Sequence, residues 1–165
     1  MGKTTLARIL AARADRAVHI ESDVFFHFIQ SDYVEPWKPD SHAQNRTVMR
    51  IVADAAASYA AAGYFTIVDG IILPGWFLEP LRDSLRDAGH VVAYAVLRAP
   101  LAVCAPRARS RESEALTDPA LVKSLWQKFA DLGPLESNAV EVGTKSPDEA
   151  ADLLALRLGN GLLAT

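Results

Sequence analysis

The first residues of the chain have the types and spacing of a phosphate-binding loop. Met1 is followed by Gly2, Lys3, Thr4 and Thr5, and then by an apolar helical pattern. In the motif G-x-x-x-x-G-K-[ST], the second glycine lets the backbone approach phosphate oxygens, the lysine pairs with the β- and γ-phosphates, and the hydroxyl binds Mg²⁺. Amide groups at the helix N-terminus add to the attraction for an anion. The sequence therefore predicts that residues 2–5 bind the phosphates of a nucleotide and that Thr4 binds magnesium.

The strand and the first glycine of this motif would precede Met1. That glycine should lie five residues before Gly2, and a methionine fits one of the variable positions between them. We therefore expect in-frame codons upstream of Met1 to encode an apolar strand and the missing glycine, in which case the start has been assigned to an internal methionine. A real truncation is one alternative. The other is a helix that begins with these residues by chance.

Apolar segments alternate with helical patterns along the rest of the chain. Helices are predicted over 3–14, 42–62, 77–88, 101–111, 119–132 and 147–158, and strands over 17–22, 64–68, 91–97 and 139–142. The helix over 119–132 is expected to be capped by Asp118 or Thr117, because proline is accepted in a first turn. Alternating strands and helices predict an α/β domain with a mostly parallel sheet.

Three charged residues follow the predicted strands: Asp23, Asp69 and Arg98. Parallel sheets bind ligands at the carboxyl ends of their strands, so these residues are expected on one rim beside the phosphate loop. Asp23 is predicted to orient a substrate hydroxyl and accept its proton; the alternative is that it caps the next helix. Asp69 is predicted to hold magnesium through a water, or else to start a turn with Gly70. A phosphate contact by Arg98 is the weaker expectation.

Basic and aromatic residues supply further candidates. Arg107 and Arg111 are four apart and hence on one side of a helix, where they either contact phosphate or form a solvated face. Arg46 and Arg50 are spaced in the same way and could clamp an anionic acceptor or pair with nearby acids. Trp37 and Trp76 are assigned to a substrate pocket. Asn45 is predicted to act together with the two arginines on the helix over 42–62. Three phenylalanines, Phe25, Phe26 and Phe28, are assigned to the core.

Bulk properties exclude several classes of protein. The 165 residues suit one domain, and a net charge of -3 gives no electrostatic reason to expect nucleic acid or an anionic membrane as a partner. Cys104 is the single cysteine, which excludes an internal disulfide and a cysteine-based zinc site and suits a reducing cytoplasm. No apolar run approaches the ~20 residues of a membrane span.

With these residues in hand, the chain resembles the small P-loop kinases, namely gluconate kinase, shikimate kinase and chloramphenicol phosphotransferase. It is most similar to bacterial AAA-type ATP-binding proteins of its size. The resemblance implies a three-layer α/β/α P-loop NTPase fold with sheet order 2-3-1-4-5, in which the absent strand 1 would be central. It also implies ATP as the phosphate donor and magnesium as the cofactor.

The resemblance further implies roles for single residues. Arg107 and Arg111 match lid arginines that close over the phosphates, and Thr144 lies in the stretch 143–147 that relatives pass around the adenine. Asp23 matches the acid that faces the acceptor hydroxyl, and Asp69 the acid that ends strand three. The further lid signature of gluconate kinase and the substrate-contacting stretch of chloramphenicol phosphotransferase are not found, which leaves the acceptor unassigned.

The function predicted from the sequence is an ATP- and Mg²⁺-dependent transfer of the γ-phosphate to a hydroxyl of a small molecule by a single domain over 1–165. One alternative is a kinase of a nucleotide, a sugar-nucleotide or a nucleic-acid end, which a basic groove near Arg46 and Arg50 would favour. A second alternative is a nucleotide-binding switch or an inactive remnant without turnover.

Overall fold

The computed structural model describes residues 2–104 and 118–165, so Arg107 and Arg111 lie outside the described residues. The elements are α1 (Lys3–Ala12), β1 (Ala17–Glu21), α2 (Ser22–His27), a 3-10 turn (Pro39–Ser41), α3 (His42–Ala61), β2 (Phe65–Asp69), α4 (Leu78–Asp87), β3 (Val96–Arg98), α5 (Pro119–Lys128), a second 3-10 segment (Gly133–Asn138), β4 (Ala139–Glu141) and α6 (Pro147–Gly159). Residues 101–104 are also helical. None of the helices described is long and apolar enough to cross a membrane.

The chain divides into two compact units. One consists of Ala7–Val92, and the other of Met1–Leu6 with Ala93–Thr165. Each unit contains one parallel pair of strands, β1 with β2 in the first and β3 with β4 in the second. In the expected order 2-3-1-4-5, the pair β1–β2 corresponds to strands 2 and 3, and the pair β3–β4 corresponds to strands 4 and 5. The single domain over 1–165 stays a prediction.

The unit Ala7–Val92 is built around α3. This helix has apolar residues at intervals of four, Val48, Val52 and Ala56, and these side chains are buried with Ile20 of β1 and Phe26 of α2. Burying a side chain of the size of valine or larger contributes ~1.5–3 kcal/mol, so this cluster is the main reason for the association of α2, α3 and the strands. The core thereby fixes the ends of β1 and β2, where the predicted acids lie.

In the other unit, β4 and α6 supply much of the buried core. Val140 and Ala151 are completely buried, and Leu154 lies one turn further along α6. Asp118 caps α5 by accepting a hydrogen bond of 2.8 Å from the backbone N–H of Ala120, which confirms one of the two predicted caps. Trp126 of α5 donates from its ring nitrogen to the carbonyl of Ala99 at 2.9 Å and so ties this helix to the end of β3.

Several predicted boundaries are wrong. For the strand predicted over 91–97, the cause is the length of its partner strand β4. The strand predicted over 91–97 exists only over Val96–Arg98, because β4 offers backbone groups to three residues. Val91 is 96% exposed, and Ala93 forms only an isolated bridge with Ala164. The helix predicted over 119–132 ends at Lys128.

One prediction about α2 is also wrong, and the alternative role of Asp23 as a helix cap is excluded. The helix begins at Ser22 with Glu21 in the N-cap position, so Asp23 lies in the first turn and is not the cap. Phe28, assigned to the core, is 68% exposed because α2 ends at His27 and Phe26 already fills the buried position.

Candidate active site

Gly2 and the start of α1 form the phosphate-binding part of the site. Gly2 has φ +80, a left-handed conformation that a residue with a side chain rarely adopts, and no atom lies within 4 Å of the place where its Cβ would be. Its carbonyl accepts a hydrogen bond of 2.9 Å from Leu6, and α1 begins at Lys3. The first amides of a helix have no intrahelical acceptor, so this end of α1 can donate hydrogen bonds to an anion.

Lys3 is half-buried at the first position of α1. Within the part of the chain that the structure describes, no carboxylate forms an ion pair with its ammonium group. A cation without an acidic partner at the N-terminus of a helix can form charge-assisted hydrogen bonds with a bound anion. Phosphate oxygens therefore fit this position.

A cavity of about 250 Å³ lies beside the phosphate-binding residues, within the same unit. It is lined by Gly2, Thr5, Leu6, Val142, Lys145, Ser146, Pro147 and Ala150. Three residues of the predicted adenine stretch, at 145–147, therefore face the loop residues Gly2 and Thr5. Thr144 is exposed and does not line the cavity. Gly143 instead packs on the end of β3, where an added Cβ would lie 2.6 Å from Cδ of Pro100.

A capping box holds the cavity's far wall in place. Ser146 accepts a hydrogen bond from the N–H of Glu149 at 3.2 Å, and its own N–H donates to the Glu149 carboxylate at 2.7 Å. The hydrogen bond from the Ser146 N–H is the main cause that lowers the pKa of the Glu149 carboxyl group. The signal in the sequence is serine followed three residues later by glutamate, with Pro147 at the first helical position. Sequence reasoning missed this box.

Arg98 is engaged by carboxylates. Its guanidinium donates to both oxygens of Glu136, at 2.5 and 3.0 Å, and lies 3.7 Å from the carboxylate of Glu141. Hydrogen bonds from Arg98 and from the N–H of Leu132 lower the pKa of Glu136 to about 2. Arg98 is also the last residue of β3, where it had been expected to follow the strand. The structure gives it an ion-pair role, and not the predicted phosphate contact.

This ion pair should make stability depend on pH in acid. In the unfolded chain Glu136 has an ordinary pKa near 4.5, so between that pH and about 2 the unfolded state binds more protons. The contribution of the pair is present above pH 4.5 and should be lost as the pH falls through about 2. Carboxyl titration followed by NMR should give the low midpoint, and Glu136→Gln should flatten the pH dependence of the urea midpoint in that window. A Glu136 midpoint near 4.5 would contradict the pairing.

In the unit Ala7–Val92, the acids lie where β1 and β2 end. The parallel register pairs Glu21 with Asp69, so both strands end level, and Asp23 follows two residues after Glu21. The Asp69 side chain is 6% exposed and its Oδ2 lies 3.4 Å from Nε2 of His19. Asp23 is exposed. Asp69 is itself the last residue of β2, whereas the sequence predicted that it directly follows the strand.

The hydroxyl of Tyr33 is influenced by the charge of Asp23, which sequence reasoning missed. Burial, together with the negative charges of Glu35 and Asp23, raises the pKa of the Tyr33 hydroxyl. A phenol that stays protonated beside a carboxylate can donate a hydrogen bond to it or to a shared ligand. No spacing in the sequence signals this proximity, because it depends on the path of the loop between α2 and α3.

The first turn of α3 anchors that loop. Gln44 accepts from the N–H of Val34 at 2.9 Å and donates to the Val34 carbonyl at 2.6 Å. Asn45 is 1% exposed and donates to the carbonyl of Pro36 and to the hydroxyl of Ser41, both at 2.8 Å. The prediction that Asn45 joins the arginines is therefore wrong, because its side chain is buried and its amide nitrogen holds the loop, whereas Arg46 and Arg50 are exposed.

The other substrate candidates are spread over the unit. Trp37 belongs to the anchored loop and is 39% exposed. Arg46 and Arg50 are both exposed on α3, and no ion pair to either is found in residues 2–104 and 118–165. Trp76 is half-buried and stacks on Phe77, with ring centroids 4.0 Å apart. Among these candidates, the structure places only Trp37 in the same loop as Tyr33.

Gly70 fixes the backbone directly after Asp69. An added Cβ would lie 2.0 Å from Oγ and 3.2 Å from Cβ of Ser22, and Ser22 is 3% exposed. The backbone at Gly70 and the side chain of Ser22 therefore cannot move apart without loss of packing. We expect Gly70→Ala to lower the free energy of unfolding by ~1–3 kcal/mol, as overpacking does. Gly159→Ala is the matched control, since nothing lies within 4 Å of its Cβ position, and it should change stability by less than ~1 kcal/mol. Equal urea midpoints for Gly70→Ala and the wild type would contradict the close approach.

The oxygen donors available suit magnesium. Mg²⁺ keeps several waters and is usually held by one or two carboxylates together with phosphate oxygens. Thr4 and Asp69 supply one hydroxyl and one buried carboxylate. Throughout residues 2–104 and 118–165, no cluster of three or more His, Cys, Asp or Glu side chains could hold a metal alone. Each donor separately agrees with this preference, and the use of both for one ion together with a nucleotide stays a prediction.

Comparison with known proteins gives the family. The family model of an AAA domain matches residues 1–131. The fold is similar to the unliganded crystal structure of a sugar kinase from Janibacter sp. HTCC2649, with a TM-score of 0.63 over 96% of this chain and 88% of that chain, at 20% sequence identity. No curated protein sequence matches the chain at a significant level. The predicted α/β P-loop fold is thereby confirmed, and the protein belongs to the AAA domain family.

Proposed function

We propose that the protein is an ATP- and Mg²⁺-dependent kinase that transfers the γ-phosphate to a hydroxyl of a small molecule. Membership of a kinase-like P-loop family supports nucleotide binding and phosphotransfer chemistry. The observation that carries the proposal is the start of α1: a left-handed Gly2, then a half-buried Lys3 without an acidic partner in the described chain, beside a cavity. No part of this arrangement is needed for a helix that merely begins at Lys3.

The nucleotide is held by the unit that contains this cavity. Lys3 and the first amides of α1 bind the β- and γ-phosphates, while Thr5 and residues 145–147 border the nucleoside end. The sequence also assigned Arg107 and Arg111 to the phosphates, and we keep that assignment as a proposal. Such arginines would stabilise the charge that spreads over the transferred group.

Magnesium completes the phosphate site. Thr4 would bind the ion through its hydroxyl, and Asp69 would hold it through a water, which agrees with the preference of Mg²⁺ for oxygen ligands and retained waters. When bound, the ion neutralises the charge on the β- and γ-phosphate oxygens.

The acceptor is handled by residues around the end of β1. Asp23 orients the substrate hydroxyl and accepts its proton while the hydroxyl oxygen forms a bond to the γ-phosphorus, the bond to the β,γ-bridging oxygen breaks, and ADP leaves. The reaction needs positioning and neutralisation of charge more than covalent catalysis. Tyr33, whose hydroxyl is influenced by the charge of Asp23, and Trp37 of the same loop are proposed contacts of the acceptor. Arg46, Arg50 and Trp76 remain substrate residues by proposal only.

A sugar or another polyol is the first acceptor class to test. The structural neighbour from Janibacter is described as a sugar kinase, and a carbohydrate presents several hydroxyl groups of suitable reactivity. The single buried thiol of Cys104 suits a reducing compartment, so we place the reaction in the cytoplasm.

The test is release of ADP in the presence of candidate acceptors. The protein, expressed with any in-frame residues that precede Met1, is incubated with ATP, Mg²⁺ and a panel of sugars, polyols, hydroxy acids, aminoglycosides and phenicol-type drugs. One class should raise ADP release well above the acceptor-free rate and yield a phosphorylated product by mass spectrometry. Binding of ATP without stimulation by any acceptor would overturn the kinase proposal in favour of a nucleotide-binding switch.

A further inference from the structure

His19 and Asp69 lie on one face of the β1–β2 pair. The register pairs His19 with Ile67 and Glu21 with Asp69, so the His19 side chain is a diagonal neighbour of Asp69. The alternate residues Ile20 and Val68 face the opposite side, where they join the core around α3. Side chains of successive strand residues alternate between faces, so the imidazole and the carboxylate are both directed away from that core.

Both side chains are nearly buried. Their exposed fractions are 11% for His19 and 6% for Asp69, and Nε2 lies 3.4 Å from Oδ2. Burying a carboxylate is costly unless it is hydrogen-bonded, and an Nε2–H group on the imidazole can donate to it. Both residues belong to paired strands, so the backbone on each side of the contact is fixed by the ladder.

Glu21 lies on the same face of β1, but its carboxylate pairs with a different residue. Its carboxylate accepts a hydrogen bond of 2.9 Å from Arg8 of α1. Glu21 is half-buried, whereas its strand partner Asp69 is buried. His19 is therefore a hydrogen-bond donor available to the Asp69 carboxylate, whereas Arg8 is engaged by Glu21.

We propose that His19 is a positioning residue that fixes the Asp69 carboxylate for magnesium. The inference rests on the proposed function, in which Asp69 holds the ion. A carboxylate that holds a metal needs one orientation, and a hydrogen bond from a rigid neighbour selects it. Loss of such a supporting partner typically lowers metal affinity 10–100-fold. His19 does not touch the reacting atoms and takes no part in proton transfer.

Two variants separate positioning from packing. His19→Leu keeps an apolar volume and removes the donor. His19→Gln places an amide nitrogen at a reach similar to that of Nε2 and restores it. Asp69→Asn is the reference for loss of the proposed metal role. Each variant is titrated with ATP by calorimetry in EDTA and again over a range of Mg²⁺ concentrations, so that the Mg²⁺ concentration for half-maximal enhancement of ATP binding is obtained.

We expect His19→Leu to raise that Mg²⁺ concentration ~10–100-fold, with ATP affinity in EDTA unchanged, and His19→Gln to stay close to the wild type. Should His19→Leu fail to fold, His19→Asn, whose amide is too short to reach Oδ2, is expected to show the same loss. An equal weakening in EDTA and in Mg²⁺, or no rescue by glutamine, would show that the role is structural only.

The reference variant separates failure of this inference from failure of the proposed function. If Asp69→Asn loses the enhancement by Mg²⁺ and His19→Leu keeps it, the positioning role is overturned and the metal role of Asp69 stands. If Asp69→Asn keeps it, the metal role of Asp69 is wrong and the inference about His19 falls with it.

Discussion

Asp23→Asn is expected to lower phosphoryl transfer to the acceptor by ~10²–10⁴, the usual contribution of a positioned acid or base. ATP affinity should stay nearly unchanged, because Asp23 belongs to α2 and the nucleotide contacts are proposed for the start of α1. The fold should also survive. Glu21 occupies the N-cap position of α2, so asparagine at 23 leaves the N-cap residue in place, and the first-turn charge that it removes is worth ~0.3–1 kcal/mol.

Asp40→Asn provides the matched control for this experiment. Asp40 is an exposed aspartate in the first turn of the 3-10 segment Pro39–Ser41, in the same unit of the chain as Asp23. Its loss should leave both ATP affinity and transfer at the wild-type values. Rates are measured as product formed with the acceptor found in the ADP-release screen. Transfer at the wild-type rate by Asp23→Asn would remove Asp23 from the catalytic assignment, even if the kinase proposal stood.

Lys3→Ala has the second large expected effect. Lys3 is half-buried, and among described residues no acid pairs with its ammonium group. The variant should therefore lose the main cation that binds the β- and γ-phosphates. A charge-assisted hydrogen bond is worth ~1.5–3 kcal/mol, and about 1.4 kcal/mol corresponds to tenfold, so ATP·Mg²⁺ affinity, turnover or both should fall tenfold or more.

The exposed Lys123 of α5 is a suitable control for Lys3. Lys123→Ala removes the same charge from the same unit without touching the start of α1 and should bind ATP as the wild type does. Calorimetric titration with ATP and Mg²⁺ gives the affinity, and steady-state ADP release gives the turnover. A Lys3→Ala variant that matches Lys123→Ala in both would refute the phosphate-loop assignment.

Local patterns in the sequence predicted the elements that carry the site. The helix over 42–62 is observed as His42–Ala61 and the last helix as Pro147–Gly159, because their apolar spacing or cap is encoded within the element itself. The start of α1 at Lys3 likewise follows from the motif. These features need no knowledge of distant partners.

Features that depend on distant partners were missed. Arg98 was read as a free rim cation, and its carboxylate partner Glu136 lies 38 residues away in sequence. The contact of His19 with Asp69 spans 50 residues and exists only because β1 and β2 pair in one register. The predicted length of the strand over 91–97 was wrong for the same reason, since pairing ends where the partner strand ends. Sequence spacing alone contains none of this information.

The two hydrogen bonds between Gln44 and Val34 have a consequence for how the acceptor site can diversify. The Gln44 amide satisfies both backbone groups of Val34, as a neighbouring strand would, and Asn45 does part of the same for Pro36. The anchor therefore begins at residue 34 and is independent of the chain between 29 and 33. Insertions or deletions there would cost little in loop-closure entropy and would leave the anchor intact. Tyr33, at the border, is thus the position from which a change of loop length would most directly alter the surroundings of Asp23.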